Sequence, residues 1–531
     1  MRQKIEFFRK KPGIDLAQAI THMPAPATLL SLQSTGLGGL PLEKIAEIFT
    51  AISANIRTLD LKKNNLADKS GTELAQFLAK IPANIISLDL TLNELGTLPK
   101  NELTLVLGAI PASIISLNLT GNMLGKKSDE HLANALAAIP VNVTSLNLGF
   151  NALGYKTGEE LARIFKAIPP GISSLDLTYN RLSFMSCTEL AQALAAIPAS
   201  VTSIDLSNNG LAEKSEEELT TVFAAIPRHI KELYLKWNTL NQKSPTRLAK
   251  AFANLPEHIA LLDLTGNNLG TRHGAELVEL FSALPNGITA LNLSRNELWH
   301  LSECELTQAF KSIPPGVTSL TLNWNRLSGK SEKQLAQIFA AIPHGVTHLY
   351  LQSNGLYTQT ARALTRAFAA LPKNVTFVDL STNLFEVLPD TQLALVFKAP
   401  PAGIKVHWGN NLNPKEHEIK TLLNSYLINR GALKDSSGKT KKYLYGNFFS
   451  AFQFSFTEKQ EAVAALQSAL RGEDIDLAAH LPALRNGNLG NQLRAFIKSG
   501  LANELVDSEV ETITDFVEAL CVKNATKAPT V

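Results

Sequence analysis

Apolar and polar positions follow one beat along most of this chain. The stretch Ile56-Arg57-Thr58-Leu59-Asp60-Leu61-Lys62-Lys63-Asn64-Asn65-Leu66 sets it: apolar-x-x-Leu-x-Leu-x-x-Asn-x-Leu. In a strand the leucines of such a pattern face one way and the residues between them face the other. The asparagine returns at Asn93, Asn122, Asn151, Asn180, Asn209, Asn238, Asn267, Asn296, Asn325, Asn354 and Asn383, always after 29 residues. A last copy carries Asn411, one residue short, and a first copy holds Thr35 in the same slot, so the pattern predicts fourteen strands.

Each strand is followed by a turn such as Gly125-Lys126-Lys127-Ser128. A helix such as Asp129–Ala138 comes next, rich in Ala, Leu and Glu with apolar residues at helical spacing. Ser128 and Thr157 stand where they would cap a helix start. Ile-Pro then stops the helix, as at Ile81-Pro82, Ile110-Pro111 and Ile139-Pro140, because proline disfavours helical geometry in the residue before it and donates no hydrogen bond. Leu16-Ala17-Gln18-Ala19-Ile20 is in register with Leu74-Ala75-Gln76-Phe77-Leu78, so the array opens on a helix.

Strand and helix in 29 residues, stacked side by side, predict an α/β solenoid. Strands lie about 4.8 Å apart, whereas packed helices need about 8–10 Å. The strands therefore line the concave face and the helices the convex one. An inner arc of roughly 65 Å at that strand spacing suits a protein or peptide better than a metabolite.

The repeated Leu-x-x-Leu-x-Leu-x-x-Asn-x-Leu resembles the leucine-rich repeat, and the long unit with a full helix resembles its ribonuclease-inhibitor-like class. The resemblance implies that Asn64 to Asn411 bond neighbouring loop backbone as a ladder. Units such as Ala-Ala-Ile-Pro-x-x-Val-Thr-Ser-Leu also resemble the repeat-bearing effectors that intracellular Gram-negative bacteria send into host cells by Dot/Icm type IV secretion. That likeness implies a host-cytosol destination, virulence and a host protein as partner.

The expected domains are an N-terminal cap (1–13), the repeats (14–429), a polar connector (430–443), a helical C-terminal cap or domain (444–522) and a disordered tail (523–531). Helices are expected at Lys442–Gln453, Glu458–Arg471, Gln492–Leu505 and Ser508–Val522. The cluster Phe448, Phe449, Phe452, Phe454 and Phe456 asks to be buried, the simplest role being to cover the last repeat's edge. Glu509, Glu511 and Glu518 would suit an acidic export signal, but read more simply as helix surface.

Composition excludes more than it selects. A formal charge of +3 over 531 residues makes no case for nucleic acid. No apolar run is long enough to span a membrane, and Met1–Gly13 is no secretory signal. Cys187, Cys304 and Cys521 lie too far apart for a disulfide framework or a zinc site and fit a reducing compartment. No nucleophile elbow, phosphate loop or His-Glu-x-x-His is present. Cys521 is followed by Val522 and Lys523, not by the Cys-x-Asp of ubiquitin-ligase effectors. No cofactor or metal is expected, and a monomer is. The reading is a non-enzymatic binding module; the alternative is an enzyme with the repeats as substrate arm and an unrecognised activity in the C-terminal helices.

The repeats serve as their own control. Between the two strand leucines stands Asp or Asn in most copies (Asp60, Asp89, Asn118, Asn147, Asp176, Asp205, Asp263, Asn292, Asp379), but Tyr234, Thr321, Tyr350 and His407 in four. Paired carboxylates can do acid–base work, yet a recurring one reads as a surface stripe. It would make the N-terminal half of the groove acidic and hospitable to a basic segment. Before the ladder asparagine, Phe150, Tyr179, Trp237, Arg295 and Trp324 are the large exceptions, with Lys63 and Leu92 nearer the start. The exceptions cluster as Glu232, Tyr234, Lys236 and Trp237, and as Asn323, Trp324, His348, Tyr350 and Phe377, with Arg295 and Trp299 between. Exposed Trp, Tyr and Arg dominate interface energetics, so these residues are the predicted partner-binding surface. Phe150 with Tyr179, on adjacent strands, and Lys62 with Lys63 form a secondary one.

Overall fold

A computed structural model describes residues 16–21, 27–242, 245–388, 390–409, 456–470 and 510–525, with isolated positions between 477 and 497. Asn411 and the cluster Phe448–Phe454 lie outside the described residues. So do the predicted helix Lys442–Gln453, most of Gln492–Leu505, and both termini.

The chain forms two compact units: residues 1–354 with 370–378, and residues 355–369 with 379–531. Among the described residues there are fourteen three-residue strands, from Leu29–Ser31 to Lys405–His407. In the first unit every strand pairs in parallel with its chain neighbour, and partners are 29 residues apart, as in Asp176 opposite Asp205. The central leucines Leu59, Leu88 and Leu117 and the following Leu61, Leu90 and Leu119 are buried. So is one helix phenylalanine per repeat in much of the array, including Phe165, Phe223, Phe252 and Phe281. The core is thus a column of leucines walled by a column of phenylalanines.

The ladder expected of the asparagines is there. Asn180 Oδ1 accepts from Asn151 N at 3.0 Å and Leu153 N at 3.2 Å, while its Nδ2 donates to the carbonyls of Leu148 and Leu177, both at 3.0 Å. One fully buried amide thereby ties two successive repeats together. The slot of Thr35 joins by donating its N–H to Asn64 Oδ1 at 3.0 Å.

Two features depart from expectation. The turn after each of the first thirteen strands holds a short 3₁₀ helix, Leu124–Lys126 being the one in Gly125-Lys126-Lys127-Ser128. The residue before the ladder asparagine is left-handed whatever its side chain: φ is 55° at Phe150, 56° at Tyr179, 55° at Trp237 and 60° at Trp324. The helix ends follow prediction. Thr157 accepts from Glu160 N in a full capping box, and Ser128 accepts from His131 N.

A second ladder runs beside the first. Lys69 Nζ donates to Leu40 O at 2.6 Å and Lys156 Nζ to Lys127 O at 2.5 Å, each across 29 residues; Lys127, Lys214 and Lys330 reach Leu98 O, Met185 O and Leu301 O in the same way. Burial lowers the pKa of Lys127, Lys214 and Lys330. These lysines recur five residues after the asparagine, a signal present in the sequence.

In the second unit, helices Phe456–Leu470 and Ile513–Ala525 contribute Val463, Leu466, Phe516 and Val517 to a core joined by Leu477 and Leu484. The last helix starts five residues later than Ser508–Val522 predicts, at Ile513. Thr512 and Asp515 form its start: Asp515 Oδ2 accepts from Thr512 N at 2.9 Å. Cys187 and Cys304 are free thiols. Among the described residues no group of His, Cys, Asp or Glu is gathered for a metal ion, and no helix is long and apolar enough to cross a membrane.

Candidate partner-binding surface

The Asp/Asn position between the strand leucines has a local job. Its Oδ1 accepts the backbone N–H two residues on: Thr91 to Asp89 at 3.0 Å, Thr178 to Asp176 at 2.8 Å, Ser207 to Asp205 at 2.9 Å, Thr265 to Asp263 at 2.9 Å. The short carboxylate or amide closes the turn that ends the strand. The surface stripe predicted from these residues is thus only partly exposed, with Asp89, Asp176 and Asp205 half-buried. Asp60, Asp263 and Asp379 are buried, and neighbours bond across strands, as Asn147 Nδ2 does to Asp176 Oδ2 at 2.6 Å. Burial, with Asp205 alongside, pushes the Asp176 carboxyl above its ordinary pKa.

Replacing this residue leaves a backbone N–H without its acceptor. At Tyr234 the preceding repeat supplies another: Lys236 N donates to Ser207 Oγ at 2.9 Å. At Tyr350 the same substitution recurs with different residues, and Gln352 N donates to Asn323 Oδ1 at 2.8 Å. Asn323 also donates, its Nδ2 reaching Gln352 Oε1 at 3.3 Å. Both tyrosines thus occupy the acceptor's place with the backbone still satisfied.

Around Tyr234 the predicted residues do converge. Tyr234 Oη donates to Glu232 Oε2 at 3.2 Å, and Lys236 Nζ sits 4.8 Å over the Tyr234 ring and 3.3 Å from Asp205 Oδ2. Burial first, then the Glu232 charge and hydrogen bond, push the Tyr234 hydroxyl up to about 12. Beside them the outward face of the sheet is hollowed, with a concavity of about 390 Å³ reaching from Ser116 to Lys236 and lined by Asn147, Asp176, Asp205 and Glu232. Trp237 stays exposed at 45%. A Cβ on Gly266 would stand 2.5 Å from its indole, so the ring lies over the glycine of the next repeat.

The second group also assembles. His348 and Tyr350 both meet Phe377, with ring centroids 5.6 and 5.8 Å apart. Arg295 stacks 4.1 Å over the exposed Trp324. Trp299 lies in the 3₁₀ helix Leu298–His300, stacked on His300 at 3.7 Å with Arg326 5.9 Å over it. Sequence reading passed over Ser207, Gly266, Gln352 and Arg326; only Arg326 stands out by type. Of the secondary set, Phe150 and Tyr179 meet edge to face at 6.4 Å. Lys62 is paired with Asp89 at 3.0 Å, while Lys63 is exposed. Glu232, Tyr234, His348, Tyr350 and Phe377 stand on strands. Trp237, Arg295 and Trp324 stand in left-handed turns at the strand ends.

A family model described as "Leucine Rich repeat" matches residues 53–75. The leucine-rich repeat-containing protein LegL7 from Legionella pneumophila is 38% identical over 53% of this chain and 88% of its own, with a TM-score of 0.48. The Rad7 and Elc1 complex of yeast is matched at 14% identity over 70% of this chain and 89% of the other, with a TM-score of 0.36. No curated protein matches in sequence. The repeat period, the asparagine ladder and the identity to LegL7 agree: the chain belongs to the leucine-rich-repeat family.

Proposed function

We propose that the chain is a non-enzymatic module that grips a protein partner through the outward face of its sheet and the adjoining strand-end turns. One observation carries this reading. At Tyr234 and Tyr350 a structural acceptor has been given up for a large aromatic, and in both places the preceding repeat caps the orphaned N–H. A buried N–H left unmade would cost roughly 1–3 kcal/mol; the rescue at both sites fits selection for the tyrosines. Aromatics and arginine in the left-handed turns fit the same demand, since a side chain there costs about 1–2 kcal/mol that glycine does not.

The two groups lie three strands apart, roughly 14 Å at ordinary strand spacing. Such a span fits an extended segment or one face of a folded partner. The resemblance to secreted repeat effectors, together with a relative from Legionella pneumophila, supports a bacterial protein acting on a host protein after type IV delivery.

The test is a quadruple variant, Tyr234→Ser, Trp237→Ser, Trp324→Ser and Tyr350→Ser, compared with the parent by site-specific photo-crosslinking from Lys236 in host lysate. The variant keeps the parent's circular dichroism and loses the crosslinked species. Undiminished crosslinking would overturn the assignment of the surface.

A further inference from the structure

The same repeat-by-repeat control exposes a second surface that the groove does not include. Across the turns of Asn122, Asn151 and Asn180, the positions just before, just after and four beyond the asparagine read Gly121, Met123 and Lys126; Phe150, Ala152 and Tyr155; Tyr179, Arg181 and Phe184. The flanking repeats hold Glu94 and Glu213 in these rows, whereas the three central ones carry no acid at all.

Phe150, Tyr155, Tyr179 and Phe184 are each more than half exposed. They form two edge-to-face pairs: Phe150 with Tyr179 at 6.4 Å, and Tyr155 with Phe184 at 5.4 Å. The pairs flank the turns held by Asn151 and Asn180. Arg181 joins the second pair, its guanidinium 5.8 Å from the Tyr155 ring and 6.0 Å from that of Phe184, with Nη1 donating to the Tyr155 hydroxyl. Arg181 is exposed, and it takes part in none of the ion pairs among the described residues. Lys126 occupies the Tyr155 position one repeat earlier and is also exposed.

The scaffold does not ask for these rings. At the left-handed position glycine and asparagine serve at Gly121, Asn208 and Gly266, while Phe150 and Tyr179 adopt φ of 55° and 56° against their preference. Gly121 in turn makes room for its neighbours: a Cβ there would lie 2.7 Å from Leu92 Cδ2 and 3.5 Å from Phe150 Cδ1. The apolar row therefore continues past it. Four rings already stacked in pairs lose little freedom on binding. A guanidinium lying on rings presents its remaining donors in a fixed plane that matches a carboxylate.

From these observations we propose that the strand-end rim of the three repeats around Asn151 is a separate docking surface for an acidic segment of a partner protein, with an apolar side chain seated on the ring pairs and a neighbouring carboxylate held by Arg181. The charge decides the occupant: the rim offers cations and no acids, the reverse of the hollow lined by Asp176, Asp205 and Glu232 on the strands beside it. A basic segment would be repelled here and drawn there.

The proposal rests on the binding-module reading, and its test separates the two. The full chain is passed over an array of immobilised Gly-Ser peptides that carry one Phe or Leu beside one Glu, Asp, Lys or Ser. Retention occurs on the Phe or Leu peptides with Glu or Asp and falls at least tenfold in Arg181→Gln and in the double variant Tyr155→Ser with Phe184→Ser. The quadruple groove variant retains these peptides as the parent does, while Arg181→Gln keeps the Lys236 crosslink. Arg181 is exposed, so its substitution leaves the fold in place, checked by circular dichroism. Equal retention on the Lys peptides, no retention on any peptide, or retention unmoved by Arg181→Gln would each overturn the proposal. Loss of retention in the groove variant alone would assign the peptide to the groove and overturn it as well.

Discussion

Tyr234 joins the residue scale to function, because its hydroxyl reports its surroundings. The ordinary tyrosine pKa is about 10; burial first, and then Glu232, raise this one to about 12. The fold therefore holds this proton more tightly than the unfolded chain does. The stabilisation is fully present below pH 10 and is lost as pH climbs from 10 toward 12. In a titration followed by tyrosinate absorbance, one of the eight tyrosines ionises late, and Tyr234→Phe removes that late phase. Glu232→Gln moves it only part of the way back, since burial is the larger cause and remains. A late phase that survives Tyr234→Phe would place the perturbed hydroxyl elsewhere. Tyr234 was legible in the sequence as a departure from the nine copies that hold Asp or Asn there. Ser207, which makes the departure tolerable, was not: its role is a contact between strands, and serine is ordinary at its own position. The lysine ladder was equally visible by spacing, yet a lysine reads as a solvated charge until its Nζ is seen on a buried carbonyl.

At the scale of the element, the helix starts show what a cap contributes. Ser186 and Glu189 close a capping box on Cys187–Ala195. The helix Gly274–Ser282 begins after His273, whose backbone has the same extended geometry but whose side chain makes no cap, although Glu276 stands in the third position. His273→Ser should complete the box and stabilise the first unit by about 0.5–1 kcal/mol. The readout is a higher urea midpoint with slower amide exchange confined to the first turn of that helix; an unchanged midpoint would mean that the Arg272–Glu276 pair at 3.3 Å keeps the carboxylate from the cap. Helix starts were legible because Ser or Thr three residues before Glu is a local signature. The 3₁₀ helices were not, because three residues carry no period. Nor were the left-handed turns: Phe150 and Trp237 are residues that local preference steers away from positive φ, and only the ladder asparagine beside them forces it.

On the scale of the first unit as a whole, each repeat touches only its neighbours, so stability is a sum of local and nearest-neighbour terms. Asn209 shows how such a body should fail. Its Oδ1 accepts from Asn180 N at 2.8 Å and Leu182 N at 3.3 Å, and its Nδ2 donates to Leu177 O and Leu206 O, both at 3.0 Å. Asn209→Ala strands these buried groups at a loss of about 3 kcal/mol or more. In a globular core that loss would spread over the whole fold. Here it should open the strands Ser174–Asp176, Ser203–Asp205 and Glu232–Tyr234 to amide exchange while Thr58–Asp60 keeps its protection. The Lys236 crosslink should weaken with it, because Tyr234, Lys236 and the Ser207 hydroxyl that caps Lys236 all hang on the loosened turns. The period alone announced this behaviour, since a strict repeat implies a one-dimensional body before any coordinate is known. Uniform acceleration of exchange from Thr58 to Tyr350 would show instead that the asparagine ladder couples the repeats into one cooperative unit, and a partner gripped at Tyr350 would then sense damage at Asn209.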